Sequence, residues 1–175
     1  MKKILLLSVV VLGMLTSCSC HGLKVHYSKT DPHGIQERDL KGFERIEQLG
    51  SLDVKYAQAD SFSVRVEAPV KVLNDVETYV TGNKLVVRMK GEGKLLNLGV
   101  SDADGVTVFV TSPDFLGIEL KGSGDFEANG LVDTDNLDIT LSGSGDITLS
   151  GNVKDYKYNV RGSGDMNISG LTVGK

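Results

Sequence analysis

"RGSGDMNISGL", residues Arg161–Leu171, nearly restates two earlier stretches of the chain, "KGSGDFEANGL" at Lys121–Leu131 and "SGSGDITLSGN" at Ser142–Asn152. The GSGD element recurs after 21 and then 19 residues. Each copy reads as strand, corner, strand, corner. The first strands carry Leu116-Ile118-Leu120, Leu137-Ile139-Leu141 and Tyr156-Tyr158-Val160; the second carry Phe126-Ala128, Ile147-Leu149 and Met166-Ile168. Alternation with period two puts all of these on one interior. A repeat near 20 residues built from short alternating strands is what a solenoid produces, because each coil buries its apolar side only against its neighbours. The expected fold is therefore all-β, a parallel solenoid over about residues 116–175 with GSGD at one corner. The step from 21 to 19 residues is expected between Gly130–Leu137 and Gly151–Tyr156, a corner loose in length where GSGD is fixed.

The corner has a structural reading and a functional one. Two glycines around one serine permit positive φ values that other residues take only at a cost. The aspartate that follows, Asp125, Asp146 or Asp165, is placed to accept backbone N–H groups and close an Asx-type turn. In stacked coils about 4.8 Å apart, three aspartates in register form a like-charge column. Its pairwise repulsion is about 1 kcal/mol in water and about 3 to 4 kcal/mol at an effective dielectric near 20. Solvent, backbone donors or a bound cation such as calcium must offset it, so Asp125, Asp146 and Asp165 form a candidate cation or ligand column. The nonapeptide period of calcium-roll repeats is absent. Facing outward, Asp138 is expected over Lys157, with Glu119-Thr140-Asn159 and Asn129-Ser150-Ser169 as polar columns.

Upstream, the alternation begins near Gly42. "SLDVKY" buries Leu52, Val54 and Tyr56, "SFSVRVEA" Phe62, Val64 and Val66, "KLVVRMK" Leu85, Val87 and Met89, and "GVTVFV" Val106, Val108 and Val110. Turn residues separate these strands at Gln58-Ala59-Asp60, Thr81-Gly82-Asn83, Gly91-Glu92-Gly93 and Asp102–Gly105. Leu73, Val76 and Val80 fall at helical spacing in "VLNDVETYV", which would suit a helical turn or a strand.

Lys2 and Lys3 followed by the run Ile4–Leu15, apolar but for Ser8, read as a signal peptide over residues 1–17; a run of 12 residues is too short to span a bilayer as a helix. Leu15-Thr16-Ser17-Cys18 looks like a lipobox, making Cys18 the expected lipidation site and the membrane the expected partner through that anchor. Residues 18–37, rich in turn formers and without period, read as a tether. Cys20 is then the one remaining thiol and cannot close an intramolecular disulfide. Removal of residues 1–17 takes the formal charge from −4 to −6, which argues against nucleic acid as a partner. His21, His26 and His33 all fall in the tether, with a spacing that matches no standard metal pattern. The folded body, residues 38–175, is then left without His/Ser or His/Cys nucleophilic machinery.

"RDLKGFERIEQLGSLDVKYAQADSFSVRVEAP", Arg38–Pro69, followed by GSGD repeats, resembles the head GIN domain family of auto-transporter adhesins, a domain of unknown function found in lipoproteins of Bacteroidetes-type bacteria. The resemblance implies a right-handed β-helix-like fold with the N-terminal strands stacked on it, a location in the envelope, no cofactor and no catalytic residue. Members usually continue through further coils, whereas this chain stops at "SGLTVGK", leaving a half-built last coil or a truncated product. An open coil edge invites a second copy. The functional expectation is an outer membrane-anchored lipoprotein, at the cell surface or the periplasmic face, that acts as a non-catalytic binding or adhesion module for glycan or protein. The alternatives are a polysaccharide-acting β-helix enzyme and a purely structural envelope protein. The enzyme needs two carboxylates with pKa values driven apart, and identical corners do not supply them.

Overall fold

The computed structural model describes residues 32–91 and 105–174. Cys18, Cys20, His21, His26, the signal segment and most of the Gly91-Glu92-Gly93 and Asp102–Gly105 turns lie outside the described residues. The described strands are β1 (His33–Arg38), β2 (Arg45–Gly50), β3 (Asp53–Gln58), β4 (Ser63–Pro69), β5 (Val76–Thr81), β6 (Lys84–Met89), β7 (Thr107–Ser112), β8 (Gly117–Gly122), β9 (Phe126–Gly143), β10 (Ile147–Gly162) and β11 (Met166–Val173). The fold is all-β. The helical spacing of Leu73 and Val76 yields only a single 3₁₀ turn, Leu73–Asp75, before the β-branched run of β5 takes over.

All eleven strands join one sheet that bends around one core. Its centre is β9, which is long enough to turn a corner and serve two walls. The last part of β9 pairs in parallel with β8, from Gly117↔Asp138 to Gly122↔Gly143. Its first part pairs in parallel with β3, Val54↔Phe126 to Tyr56↔Ala128. Both parts of β9 also pair in parallel with β10, and the first part of β10 pairs in parallel with β11. One wall is thus β2, β8 and the second parts of β9 and β10, extended by β6 and β5; the other is β7, β3, the first parts of β9 and β10, and β11, extended by β4 and β1.

Alternation is obeyed almost everywhere. Leu52, Val54, Tyr56, Val64, Val66, Leu85, Val87, Met89, Val106, Val108 and Val110 are buried, as are Ile118, Leu120, Leu137, Ile139, Leu141, Ile147 and Leu149. Phe115 joins them and stacks between Tyr56, at 4.3 Å, and Phe126, at 5.9 Å. Burial pushes the Tyr56 hydroxyl up to about 12, partly offset by its hydrogen bond with Ser112. The last coil departs from expectation: Tyr156, Met166 and Ile168 are only half-buried, and Tyr158 is 61% exposed, because the described chain places no further coil over them.

Three expectations are corrected. Residues 33–37, read as the end of the tether, belong to β1, which runs antiparallel to β4 from His33↔Pro69 to Arg38↔Val64. The strand is held by its backbone ladder while Ile35 stays exposed, so it carries little hydrophobic signal, and it brings His33 into the folded body. The step in repeat length falls earlier than expected: Glu127 pairs with Thr148 but Leu131 with Ser150, so β9 holds two extra residues around Ala128–Gly130, where Gly130 takes φ +97°. In consequence Ser150 faces Leu131 and Gly170, and the Asn129-Ser150-Ser169 column does not form.

The GSGD corners stack on one another with no room between them. Gly122, Gly143 and Gly162 take φ values of +149°, +148° and +137°. The second glycines need no positive φ; a Cβ built on Gly145 would instead collide with the backbone carbonyl of Gly124, and one on Gly124 with that of Leu52. Overpacking against backbone that cannot yield costs at the upper end of the usual 1–3 kcal/mol range or beyond. Gly145→Ala is therefore expected to lose about 3 kcal/mol or more in urea unfolding. Gly82→Ala, at φ +61° with open space around it, should lose only about 1–2 kcal/mol; equal losses would contradict the close stacking.

Candidate functional site

The candidate column Asp125, Asp146 and Asp165 lies at these corners, exposed to solvent. The aspartates do not close local Asx turns. Asp125 Oδ1 accepts the backbone N–H of Asp146 at 2.9 Å, and Asp146 Oδ1 that of Asp165 at 2.8 Å. A fourth member precedes them: Asp53 Oδ1 accepts the N–H of Asp125 at 3.0 Å. Asp53 closes "GSLD", Gly50–Asp53, an imperfect GSGD whose Gly50 pairs with Gly122. Alongside runs a second ladder, in which the carbonyls of Gly50, Gly122 and Gly143 each receive two N–H groups from the next coil. Gly122 O accepts from Ser144 and Gly145 at 2.9 and 3.2 Å, and Gly143 O from Ser163 and Gly164 at the same distances. The backbone donors thus offset the like charges of the column. Among the described residues no group of three or more His, Cys, Asp or Glu is arranged to hold a metal ion.

A second polar constellation lies on the outer face of the wall formed by β2, β8, β9 and β10. The register places Glu47 directly beside Glu119, a repulsive arrangement by itself. Lys84 and Lys121 close it into a ring. Lys84 Nζ lies 3.1 Å from both carboxylates, and Lys121 Nζ lies 2.8 Å from Glu47 and 2.7 Å from Glu119. Burial alone would raise both carboxyl pKa values, but the hydrogen bonds from Lys121 and Lys84 outweigh it and hold them below the ordinary value. For Lys84 and Lys121 burial pulls down, and the two glutamates more than restore the charge, leaving both raised.

Next to this ring the wall is indented. Gly117 stands between Arg45 and Asp138 in the column Arg45-Gly117-Asp138-Lys157, and the Arg45 guanidinium passes over it to bind Asp138 at 2.8 Å. A Cβ on Gly117 would press on Arg45 Nη1 and on the Asp138 backbone. The resulting groove, about 350 Å³, is bordered by Arg45, Lys84, Glu119, Asp138, Thr140, Lys157 and Asn159. The expected register of Asp138 beside Lys157, and of Glu119, Thr140 and Asn159 in one column, is observed. Asp138 nevertheless pairs with Arg45, so Lys157 faces the groove without an ion pair among the described residues. Neither Arg45 nor Gly117 was singled out by the sequence, because their partners sit 93 and 21 residues further along the chain.

Residues 42–175 match the family model described as "Putative auto-transporter adhesin, head GIN domain". The chain belongs to this family. Among solved structures, a "putative adhesin" from Bacteroides fragilis is similar to this head GIN domain at 20% identity and TM-score 0.66, over 83% of this chain and 74% of that one. A "putative lipid binding protein" from Parabacteroides distasonis shares 23% identity at TM-score 0.66, over 83% of this chain and 61% of its own. A "putative adhesin" from the same organism shares 18% identity at TM-score 0.66, over 78% and 56%. At these identities the likeness is one of fold, and the chain spans less than two thirds of the length of the latter two. None of the curated proteins is similar to it.

The ion-pair ring gives the head GIN domain a defined pH response. Glu47 and Glu119 have lowered folded pKa values, so their stabilisation is present above the unfolded value of 4.5 and is lost as pH falls through the lower folded values. Lys84 and Lys121 have raised values, so theirs is present below 10.5 and is lost as pH rises through the folded values. Glu119→Gln should therefore shrink the acid-side fall in urea midpoint relative to the parent chain; an unchanged acid limb would mean the ring carries no net stability. At the corner, Asp146→Ala should cost about 0.5–1.5 kcal/mol by removing the acceptor of the Asp165 N–H at an exposed site, with Asp146→Asn milder because its carbonyl still accepts. Equal losses in urea melts would refute the acceptor role.

Proposed function

We propose that this head GIN domain is a non-catalytic binding module of the bacterial envelope, anchored through lipid on Cys18, exposed at the cell surface, and contacting glycan through the groove beside Gly117. The carrying observation is that groove. It is an indentation in the wall lined by both apolar and polar residues, Ile118, Ile139 and Tyr158 beside Lys157, Thr140 and Asn159, the last three offering donors and acceptors on adjacent strands. Hydroxyl-rich ligands with an apolar ring face suit such a surface, which combines directional hydrogen-bonding groups with apolar contact. The name of the lipid-binding neighbour suggests another ligand class, but the charged border here favours a hydrated one. The parallel, in-register coils support reading the body as a parallel β-helix-like solenoid, and parallel crossovers are right-handed in nearly all cases.

Binding is favoured over catalysis by the state of the carboxylates. A glycosidase acid needs a raised pKa, whereas Glu119 is held ionised by two lysines and Asp138 is tied to Arg45. The adhesin description of the family points the same way. Among the described residues no helix is long and apolar enough to cross a membrane.

Protease shaving of intact cells, followed by antibody detection of residues 38–175, is expected to remove the signal; its survival would overturn surface exposure. On a glycan array, the detergent-solubilised full chain should bind at least one glycan class. Thr140→Ala with Lys157→Ala should weaken that binding roughly tenfold or more, from the loss of one charged and one neutral hydrogen bond. Binding indifferent to both substitutions would exclude the groove.

A further inference from the structure

The second part of β10 is an open edge. Asp155–Gly162 pairs with β9 on one side and with no described strand on the other. Its inward residues continue columns that are fully buried one coil earlier: Tyr156 follows Leu137, Tyr158 follows Ile139 and Val160 follows Leu141. Leu137, Ile139 and Leu141 are at most 1% exposed, whereas Tyr158 is 61% and Val160 41% exposed. The backbone is equally open. Asp138 N donates to Leu116 O and Gly143 O accepts from the coil beyond. Successive residues of a strand present their N–H and C=O to alternate sides. In the matching register of β10, Tyr156, Tyr158 and Val160 therefore aim theirs away from β9.

We propose that this edge is a self-association surface, on which a second copy of the chain pairs its own β10 antiparallel about a two-fold axis at Tyr158. The sequence Asp155-Tyr156-Lys157-Tyr158-Asn159-Val160-Arg161 is self-complementary in that register. Asp155 lies opposite Arg161 of the second copy, and Arg161 opposite its Asp155. Tyr156 meets Val160, Tyr158 meets itself, and Lys157 meets Asn159. The residues whose backbone groups face outward, Tyr156, Tyr158 and Val160, become the hydrogen-bonded pairs. The neighbouring registers are penalised. Centring on Lys157 opposes two lysines, and centring on Asn159 opposes Lys157 with Arg161 twice, both repulsive across a strand pair. The opposite end of the wall is the outer edge of the β6–β5 hairpin, where Val76–Thr81 has no opposite charges to pair across a two-fold axis. A copy therefore meets its like end, giving a closed pair instead of an open filament.

The test is cross-linking of the full chain in its native membrane. Lys157 and Asn159 of opposite copies form a non-hydrogen-bonded pair, for which Cα atoms lie about 4.5 Å apart, within disulfide reach. Differently tagged Lys157→Cys and Asn159→Cys chains are co-expressed, oxidised and resolved without reductant, with the parent chain controlling for Cys18 and Cys20. A mixed-tag dimer is expected, in severalfold excess over any Lys157→Cys homodimer. Adding Arg161→Asp to both chains should reduce the yield severalfold, and adding Asp155→Arg as well should restore it. Absence of the mixed dimer, equal yield from the Lys157→Cys homodimer, or failure of the charge swap to restore cross-linking would overturn the proposal. These four side chains point outward from the sheet, and circular dichroism of each variant confirms that the fold is kept.

Discussion

The structure depends on the close approach of backbone to backbone at the GSGD corner. The carbonyls of Gly50, Gly122 and Gly143 each accept two N–H groups from the coil beyond, and Asp53, Asp125 and Asp146 each accept a third. Three bonds per corner fix the register, and the register brings Ile118 over Ile139 and Leu120 over Leu141. Hydrophobic burial supplies most of the driving force, but a two-residue slip would keep the same face inward, whereas the corner permits no slip. Only glycine permits the approach, since any Cβ at Gly124 or Gly145 would occupy the space of a neighbouring carbonyl. The corner is thereby committed to holding the stack.

Much of this was legible in the sequence. Alternation located β3, β4, β6 and β7 and most of the core, and the repeat disclosed the stacking of β8 to β11. What escaped was carried by contacts distant in sequence. The first corner, Gly50–Asp53, has Leu52 where later corners have glycine, and it stands 72 residues before its partner Asp125. Gln48 reads as an outlier among apolar interior residues. It is fully buried because its amide donates to the carbonyls of Leu52 at 2.7 Å and Asp125 at 3.1 Å, tying that imperfect corner to the next coil. The bulge at Ala128–Gly130 was masked because the resemblance of "FEANGL" to "ITLSGN" invites an alignment that the hydrogen-bond register does not follow.

The wall shows how an outward face is made specific. In-register stacking tends to place like residues over like, which serves apolar columns and penalises charged ones. The chain resolves this in three ways: a lysine clamp around Glu47 and Glu119, an arginine that reaches across Gly117 to Asp138, and neutral Thr140 and Asn159 further along. The groove is a by-product of the second solution, since Gly117 must be small for Arg45 to pass. That indentation sits where Lys157 remains without an ion pair among the described residues.

Amide hydrogen exchange at the corners tests the central claim most directly. Ser144, Gly145, Asp146, Ser163, Gly164 and Asp165 occupy short surface bends, where amides ordinarily exchange quickly. Because each donates to the coil before it, their exchange should be slow, and it should approach that of Ile147, whose N–H bonds Asp165 O within the wall. Exchange of the Gly145 and Asp146 amides at the rate of an unstructured loop would contradict the account, since the coils would then be held by side-chain burial alone.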